Sequence, residues 1–264
     1  LPQLLTNLTG TQLYIADGLV PGLTQLWSLC VEFAFYAVLP LLAWALDRCS
    51  ARGRVLLIAG AGVLSLGWGF LPFVAGFESG QVNTQIWPPA YFAWFAVGML
   101  AAEAEAAQVR LRAGGVVRPV CWAVAAGCVW LASREWFGPQ GLVHPAPDEF
   151  ARRIAVGAVC GACVVVPVAL SPRESWLSAP LMRALGRWSY GVFMWHVAVL
   201  AIAFPLLGVD PFSGSAGDFA VVAAFTVVVS CALSAATYVL VEVPGRDLIR
   251  SLAATRGPAG SAGS

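Results

Sequence analysis

Three side chains capable of proton transfer or hydrogen bonding interrupt the apolar stretch LWSLCVEFAFYAVLPLLAWAL, residues 26–46. Ser28, Glu32 and Tyr36 are spaced at i, i+4 and i+8, which places them on one stripe of a helix. An ionised carboxylate is costly in an apolar segment, so Glu32 needs a partner. Two interpretations are open: a structural carboxylate bonded to Tyr, Ser or backbone, or a carboxylate in a water-filled pocket that orients a base or a substrate hydroxyl.

A second polar cluster lies in LGRWSYGVFMWHVAVLAIAFP, residues 185–205. Ser189 and His196 are seven residues apart and share a face of the predicted helix, and Tyr190 adjoins them. The unperturbed pKa of an imidazole, about 6.5, suits His196 to proton transfer near neutral pH. The alternative is a structural donor that bonds between helices.

The third cluster is YVLVEVPGRDLIR, residues 238–250. Pro cannot continue a regular helix, so Glu242 and Pro244 are predicted to end the last helix at the inner membrane face. Arg246 and Arg250 then follow as anchors on that side.

The composition predicts a membrane protein that crosses the bilayer several times. The 264 residues are 59% hydrophobic and 11% charged, whereas soluble domains carry about 25% charged residues. The net charge of +1 gives no reason to expect a nucleic-acid partner. Cys160 and Cys163 have redox-motif or zinc-motif spacing, but no further ligands are evident, so they are interpreted as packing residues and no metal is predicted.

The elements that position these clusters are predicted to be transmembrane helices. A spanning helix needs about 20 apolar residues. Seven segments approach that length, and together they predict an all-α polytopic helix bundle: 26–46, 55–72, 88–106, 116–133, 151–170, 185–207 and 219–241.

The distribution of Arg predicts the orientation of this bundle. Three Arg fall in the connections on one side: Arg134, Arg152 and Arg153. The other twelve fall on the opposite side, which is predicted to be cytoplasmic: Arg48, Arg52, Arg54, Arg110, Arg112, Arg118, Arg173, Arg183, Arg187, Arg246, Arg250 and Arg256. The N-terminus is then outside and the C-terminus inside.

The two ends of the chain are predicted to lie outside the bundle. Residues 1–25 are expected to form an extracytoplasmic segment, and the Gly/Ala-rich residues 251–264 a disordered cytoplasmic tail, with the bundle spanning 26–250. An outside N-terminus without a signal sequence also predicts that further helices precede this chain.

Together the clusters resemble the membrane-bound acyltransferase 3 family. LWSLCVEFAFYAVLPLL is similar to the family's TWSLSVEEQFYLLWPLL-type segment, and LGRWSYGVFMWHVAVL to its LGxxSYxLYLxHxP segment. YVLVEVPGRDL resembles the closing Y-x-x-x-E-x-P element, and YFAWFAVGMLAAE the F-x-x-G-M-x-x-A helix. The chain departs from the pattern at Phe33, where a second acidic residue is usual, and at Val197-Ala198, where Pro is expected after the His. Members also begin with about three further helices, which carry the Arg and His taken to be central to catalysis.

The resemblance implies transfer of an acyl group from cytoplasmic acyl-CoA, commonly acetyl-CoA, to a hydroxyl of a cell-surface polysaccharide, a lipid or a macrolide. It implies no tightly bound cofactor and a location in the cytoplasmic membrane of a bacterium. Glu32 would orient the base or the acceptor hydroxyl, with Trp27, Ser28 and Tyr36 beside it in the outer pocket. The acyl tunnel would be lined by Ser189, Tyr190 and His196, which can donate to the thioester carbonyl, and CoA phosphates would pair with Arg183 and Arg187. Positive-inside bias accounts for these two Arg equally well.

Two other interpretations of the chain are open, a transporter and a protein without catalytic activity. Glu32 and His196 would also suit a proton relay in a transporter or flippase of a polar lipid or sugar. The chain could instead be a non-catalytic remnant that lacks its catalytic first helix.

Overall fold

The structure is a computed structural model that describes residues 2–20, 22–76, 80–111, 115–139, 144–171, 176–211 and 213–255. These residues form α-helices, short 3₁₀ turns and one π-helical turn, and no β-strand occurs among them. The α-helices are α1 (Pro2–Thr9), α2 (Trp27–Leu46), α3 (Ala51–Ser65), α4 (Pro72–Ala75), α5 (Phe92–Ala106), α6 (Val117–Ala132), α7 (Pro147–Ala169), α8 (Pro180–Leu207), α9 (Ala216–Thr237) and α10 (Val243–Thr255).

Each of the seven predicted segments overlaps one of the longer helices, as expected for an all-α protein. Within the described residues, four helical stretches are long and apolar enough to cross a membrane: Thr24–Leu46, Pro147–Ala169, Pro180–Leu207 and Ala216–Leu252. Helix α6 is apolar but shorter, and α3 and α5 have 15 residues each. The structure therefore supports a helical membrane protein, while the predicted number of seven spans is not established by helix length.

The helices pack as two compact units, where the sequence predicts one bundle. The first unit comprises Leu1–Leu19 and Leu26–Arg173, and the second comprises Val20–Gln25 and Glu174–Ser264. The six residues Val20–Gln25 thus join the second unit, although both neighbouring stretches of chain belong to the first.

In the first unit, α5 packs against both α3 and α7, and α6 packs against α7. The indole of Trp94 on α5 donates a 2.8 Å hydrogen bond to the carbonyl of Ile154 on α7. A Cβ at Gly157 would lie 2.9 Å from the Trp94 ring, so only glycine permits this approach. The buried core beside these helices contains Leu13, Cys30, Val31, Ala90, Tyr91, Ala93, Phe150 and Ile154.

Two polar contacts fix the positions of helices in this unit. Gln12 is almost fully buried, and its amide donates a 3.0 Å hydrogen bond to the carbonyl of Leu26, the residue before α2. At the other end, Nε of Arg54 on α3 donates to both carboxylate oxygens of Glu103 on α5, at 2.9 and 3.0 Å. Both side chains of this ion pair are about three-quarters buried.

The second unit is built around the hairpin of α8 and α9. Close packing depends on small residues: a Cβ at Gly191 would lie 3.0 Å from the side chain of Ser234, and Ser230 and Ser234 are completely buried. Helix α8 ends because Gly208 adopts φ +65° and the Val209 amide bonds back to Phe204. Helix α9 begins with Ser215, whose hydroxyl accepts from the Asp218 amide at 3.2 Å.

The predicted end of the last helix at Glu242 and Pro244 is wrong. Residues Tyr238–Glu242 form a π-helical turn that joins α9 to α10, and the helix continues to Thr255. Pro244 lacks an amide hydrogen and would clash with a regularly placed carbonyl four residues earlier. The wider turn, in which the Val243 amide bonds to the Tyr238 carbonyl, accommodates the proline without breaking the helix.

The structure also gives detail to the predicted terminal segments. Residues 1–25 contain α1 and two 3₁₀ turns, and residues 251–255 of the predicted tail are helical. The remainder of that tail, 256–264, lies outside the described residues, as do Arg112, Arg173 and Arg256 from the orientation argument.

Candidate active site

Glu32 and Tyr36 form a hydrogen-bonded pair on α2. The Tyr36 hydroxyl donates to Glu32 Oε1 at 2.9 Å, one helical turn away. Tyr36 is exposed and Glu32 is half-buried, because α2 turns its buried residues Cys30 and Val31 toward the core of the first unit. The partner predicted for a structural carboxylate is therefore present, and it occupies one of the two carboxylate oxygens.

The remaining predicted residues on α2 have different surroundings. Trp27 packs on Tyr91, with 5.1 Å between ring centroids, and so borders the buried core. Ser28 is half-buried on the Glu32 side of the helix. Phe33, which stands where a second acid is usual, lies so close to Gly10 that a Cβ there would be 2.7 Å from its ring. This packing role explains an aromatic residue at position 33.

The first unit also contains an apolar cavity of about 870 Å³ between α2, α3 and α5. Aromatic side chains dominate its lining, among them Phe35, Trp68 and Trp87, and Tyr14 contributes a hydroxyl. Burial raises the pKa of Tyr14, so its phenol stays protonated and can donate at neutral pH. Glu32 is not among the lining residues, so this cavity is separate from the Glu32–Tyr36 pair.

His196 lies half-buried in α8, and its Nδ1 is 2.7 Å from the carbonyl oxygen of Phe193. A carbonyl oxygen can only accept, so Nδ1 must carry the hydrogen of this bond. In the neutral imidazole this leaves a lone pair on Nε2, the arrangement a general base requires. The same hydrogen bond is also compatible with a structural role for His196. It lies within α8, whereas the predicted structural donor would bond between helices.

A cavity of about 560 Å³ lies between α8 and the π turn, next to the second predicted cluster. Tyr190, Trp195 and Glu242 contribute to its lining, together with Gly191, Met194, Thr237 and Val241. Neither Ser189 nor His196 is part of this lining, and the Ser189 hydroxyl donates to the Gly186 carbonyl at 2.9 Å.

Arg183 and Arg187 lie exposed in the first two turns of α8. Neither forms an ion pair with a described carboxylate. The positive end of the helix dipole makes a basic residue unfavourable in the first turn, so helix stability does not explain Arg183. Arg187 precedes Gly191 by one turn and therefore lies on the side of α8 that borders the Tyr190–Glu242 cavity.

The structure thus brings Glu32 together with Tyr36 in the first unit, and Tyr190 together with Glu242 in the second. Sequence reasoning missed Glu242 as a site residue, although the Y-x-x-x-E-x-P resemblance had marked it. It also missed Gln25, whose amide donates to the Met194 carbonyl at 3.0 Å, two residues before His196 in α8. A polar residue in a loop carries no periodic signal that would identify this long-range contact.

The cysteines and acidic residues give no candidate metal centre. In the part of the chain that the structure describes, no three His, Cys, Asp or Glu side chains lie close enough together to hold a metal ion. Cys160 instead approaches the Ala125 carbonyl at 3.8 Å, which is a packing contact between α7 and α6.

The long apolar helices and their embedded polar side chains define an all-α membrane protein. A family model described as an acyltransferase domain, acyltransferase 3, matches residues 2–236. The chain belongs to the acyltransferase 3 family. No curated protein and no solved structure matches it.

Proposed function

We propose that this protein is an integral membrane O-acyltransferase that moves an acyl group, commonly acetyl, from acyl-CoA to a hydroxyl. The observation that carries the proposal is the family match over residues 2–236. The proposed acceptor is a hydroxyl of a cell-surface polysaccharide, a lipid or a macrolide-like molecule. The proposed location is the cytoplasmic membrane of a bacterium.

The donor site is proposed to be the cavity between α8 and the π turn. Acyl-CoA combines a slender apolar arm with a phosphate-rich head. The cavity of about 560 Å³ offers apolar and aromatic walls to the arm. Arg183 and Arg187 would take the phosphates, since guanidinium groups bind phosphate oxygens in a bidentate manner.

The transfer step needs a base and a group that orients it. A hydroxyl oxygen of the acceptor attacks the thioester carbonyl carbon, a C–O bond forms, and the C–S bond breaks to release the CoA thiolate. The hydroxyl proton passes to the base, for which the Nε2 lone pair of His196 is the proposed group. The role proposed separately for Glu32, held by Tyr36 in the first unit, is to orient an acceptor hydroxyl.

The proposed topology has seven spans with the N-terminus outside and the C-terminus in the cytoplasm. It draws support from the second unit, in which Arg183 and Arg187 begin α8 while Arg246 and Arg250 lie in α10, beyond the end of α9. The hairpin of α8 and α9 brings these two stretches to one end, as the positive-inside rule favours. That end also carries the Tyr190–Glu242 cavity, which would then open toward cytoplasmic acyl-CoA.

The proposal is tested with the purified full chain in lipid nanodiscs and acetyl-CoA labelled in the acetyl group. We expect release of free CoA together with transfer of label to a hydroxyl acceptor in a bacterial envelope extract. Binding of CoA is measured separately by calorimetry with Arg183→Gln/Arg187→Gln, and Arg250→Gln serves as the control. We expect CoA affinity to fall about ten-fold or more in the double variant alone.

Two results would reject the proposal. One is the absence of any CoA release together with unchanged CoA binding in the double variant. The other is acceptor-independent uptake of a labelled sugar or lipid into vesicles that contain the protein, with no acyl transfer, which would instead indicate a transporter.

A further inference from the structure

A second cavity in the hairpin of α8 and α9 has no part in the proposed acyl transfer. Its volume is about 820 Å³, within the range of small-molecule sites, and it lies where α8 ends and α9 begins. Leu200, Phe204, Val222 and Val227 are among the side chains that make its walls apolar. Both helices that line it are long and apolar enough to span a membrane.

Two carboxylates stand at the polar end of this cavity. Asp210 follows α8 and is exposed, and Asp218 lies in the first turn of α9 and is half-buried. Neither forms an ion pair with a described basic side chain, and the described lining contains no Arg or Lys. Two hydroxyls, those of Ser213 and Ser215, lie at the same end.

Helix stability explains only one of the two carboxylates. Asp218 lies in the first turn of α9, where a negative charge interacts favourably with the helix dipole. Asp210 comes two residues after the Gly208 cap, next to the negative end of α8, where the dipole disfavours an acid. Asp210 is exposed, so water solvates its charge, and the described part of the chain places no basic side chain against it.

We propose that this cavity binds a membrane lipid whose headgroup carries an ammonium group. One acyl chain would occupy the apolar part between α8 and α9. The ammonium would lie between the carboxylates of Asp210 and Asp218 and supply their missing counter-charge. The lining follows this order of groups, with apolar residues on the two helices and the acids where α8 ends and α9 begins.

The experiment is a titration of the delipidated full chain in detergent, measured by native mass spectrometry. The probes are phosphatidylethanolamine and phosphatidylglycerol with identical acyl chains, so that only the headgroup differs. We expect one phosphatidylethanolamine to bind about ten-fold more tightly than phosphatidylglycerol, the effect of one charge-assisted hydrogen bond. In Asp210→Asn/Asp218→Asn the two lipids should bind within about two-fold of each other.

Two further variants separate the headgroup from the chain. Asp247→Asn, an exposed acid on α10, is the control and should keep the wild-type preference. Ala223→Trp places an indole in the cavity and should abolish tight binding of both lipids while helicity stays unchanged by circular dichroism.

Three outcomes would overturn the proposal. Equal affinity of the wild type for the two lipids would mean that the protein contacts only the hydrocarbon chains. This comparison uses the wild type alone, so it does not depend on whether a variant folds. Retention of the preference in the double Asn variant would place the headgroup elsewhere. A dimer that forms on delipidation and dissociates in Ala223→Trp would identify a second copy of the chain as the occupant.

Discussion

At the scale of single residues, the hydrogen bond from Tyr36 to Glu32 permits a direct test of the intramembrane carboxylate. This hydrogen bond, 2.9 Å long, occupies one carboxylate oxygen of Glu32, and substitution can test what the charge of the carboxylate does. Replacing Glu by Gln removes the negative charge and keeps the shape of the side chain. Loss of a structural carboxylate lowers stability, whereas loss of an orienting carboxylate lowers turnover.

We expect Glu32→Gln to lower acyl-transfer turnover by about 100-fold or more, because an amide cannot stabilise the proton that a base takes up. Turnover of labelled acetyl-CoA measures the effect, and the yield of folded protein should stay near that of the wild type. Tyr36→Phe should cost about ten-fold, since it removes one hydrogen bond to a charged group. Glu105→Gln, an exposed acid on α5, is the matched control, and wild-type turnover in Glu32→Gln would reject the functional interpretation.

His196 can be tested by separating its two nitrogens. Asn at this position retains a donor near Nδ1 for the Phe193 carbonyl but lacks Nε2, whereas Ala lacks both. If Nε2 is the base, His196→Asn should keep the wild-type melting temperature and lose turnover by about 100-fold or more. Substantial activity in His196→Asn, together with a lowered melting temperature in His196→Ala, would identify a structural donor instead.

Sequence reasoning found residues whose chemistry is unusual for their surroundings. Glu32 and His196 stand out because a titratable group is expensive in an apolar helix. Gln12 and Gln25 do not stand out, since a glutamine in a loop is common. Their buried hydrogen bonds to Leu26 and Met194 become visible only when distant parts of the chain are brought together.

At the scale of elements, the π turn determines which face of the last helix Glu242 presents. A π turn holds one residue more than an α turn, so it rotates the following residues by about 100° relative to α9. Glu242 is the last residue of this turn and lines the cavity with Tyr190.

We expect Pro244→Ala to convert the turn toward regular α-helix, because the new amide hydrogen can bond to the Leu240 carbonyl. The melting temperature should stay equal or rise, while acyl transfer falls about ten-fold or more as Glu242 rotates away from the cavity. Pro205→Ala, in the last turn of α8, is the control. Lower stability without loss of transfer would mean that the π turn has only a structural role.

The ion pair between α3 and α5 is expected to stabilise the first unit. Glu103→Gln leaves Arg54, about three-quarters buried, without its charged partner and should lower the free energy of unfolding. Unfolding in mixed detergent micelles measures the change. The matched control is Asp148→Asn, which breaks a more exposed pair with Arg152 on α7 and should lower the free energy of unfolding less. Equal costs would show that the burial of the first pair is not important.

Element boundaries were harder to predict than element types. Apolar length located every long helix, yet α3 begins at Ala51 instead of residue 55, because Ser50 caps it by accepting from the Gly53 amide. It also ends at Ser65, seven residues before the predicted end. The π turn at Tyr238 was not predictable, because a proline in a sequence indicates a helix end unless a wider turn accommodates it.

At the scale of the whole molecule, the proposed orientation makes opposite predictions for two positions on either side of α9. In a background without the native cysteines, Ser213→Cys should react with a membrane-impermeant maleimide in intact cells. Ser251→Cys should react only after the membrane is opened, because the positive-inside rule places α10 in the cytoplasm. The reverse pattern would invert the topology, and labelling of both from outside would require an even number of spans between the two positions.

The assignment of Val20–Gln25 to the second unit has a consequence for folding during translation. Met194, the partner of Gln25, leaves the ribosome 169 residues after it. At about 5–20 residues per second, that interval is on the order of ten seconds or more, during which Val20–Gln25 lacks the helix it packs on. A fragment starting at residue 174 would never receive this segment, and a fragment ending at 173 would display it without a place to bind. The order of translation therefore leaves the first six residues of the second unit without their partner until the helices of that unit have been made.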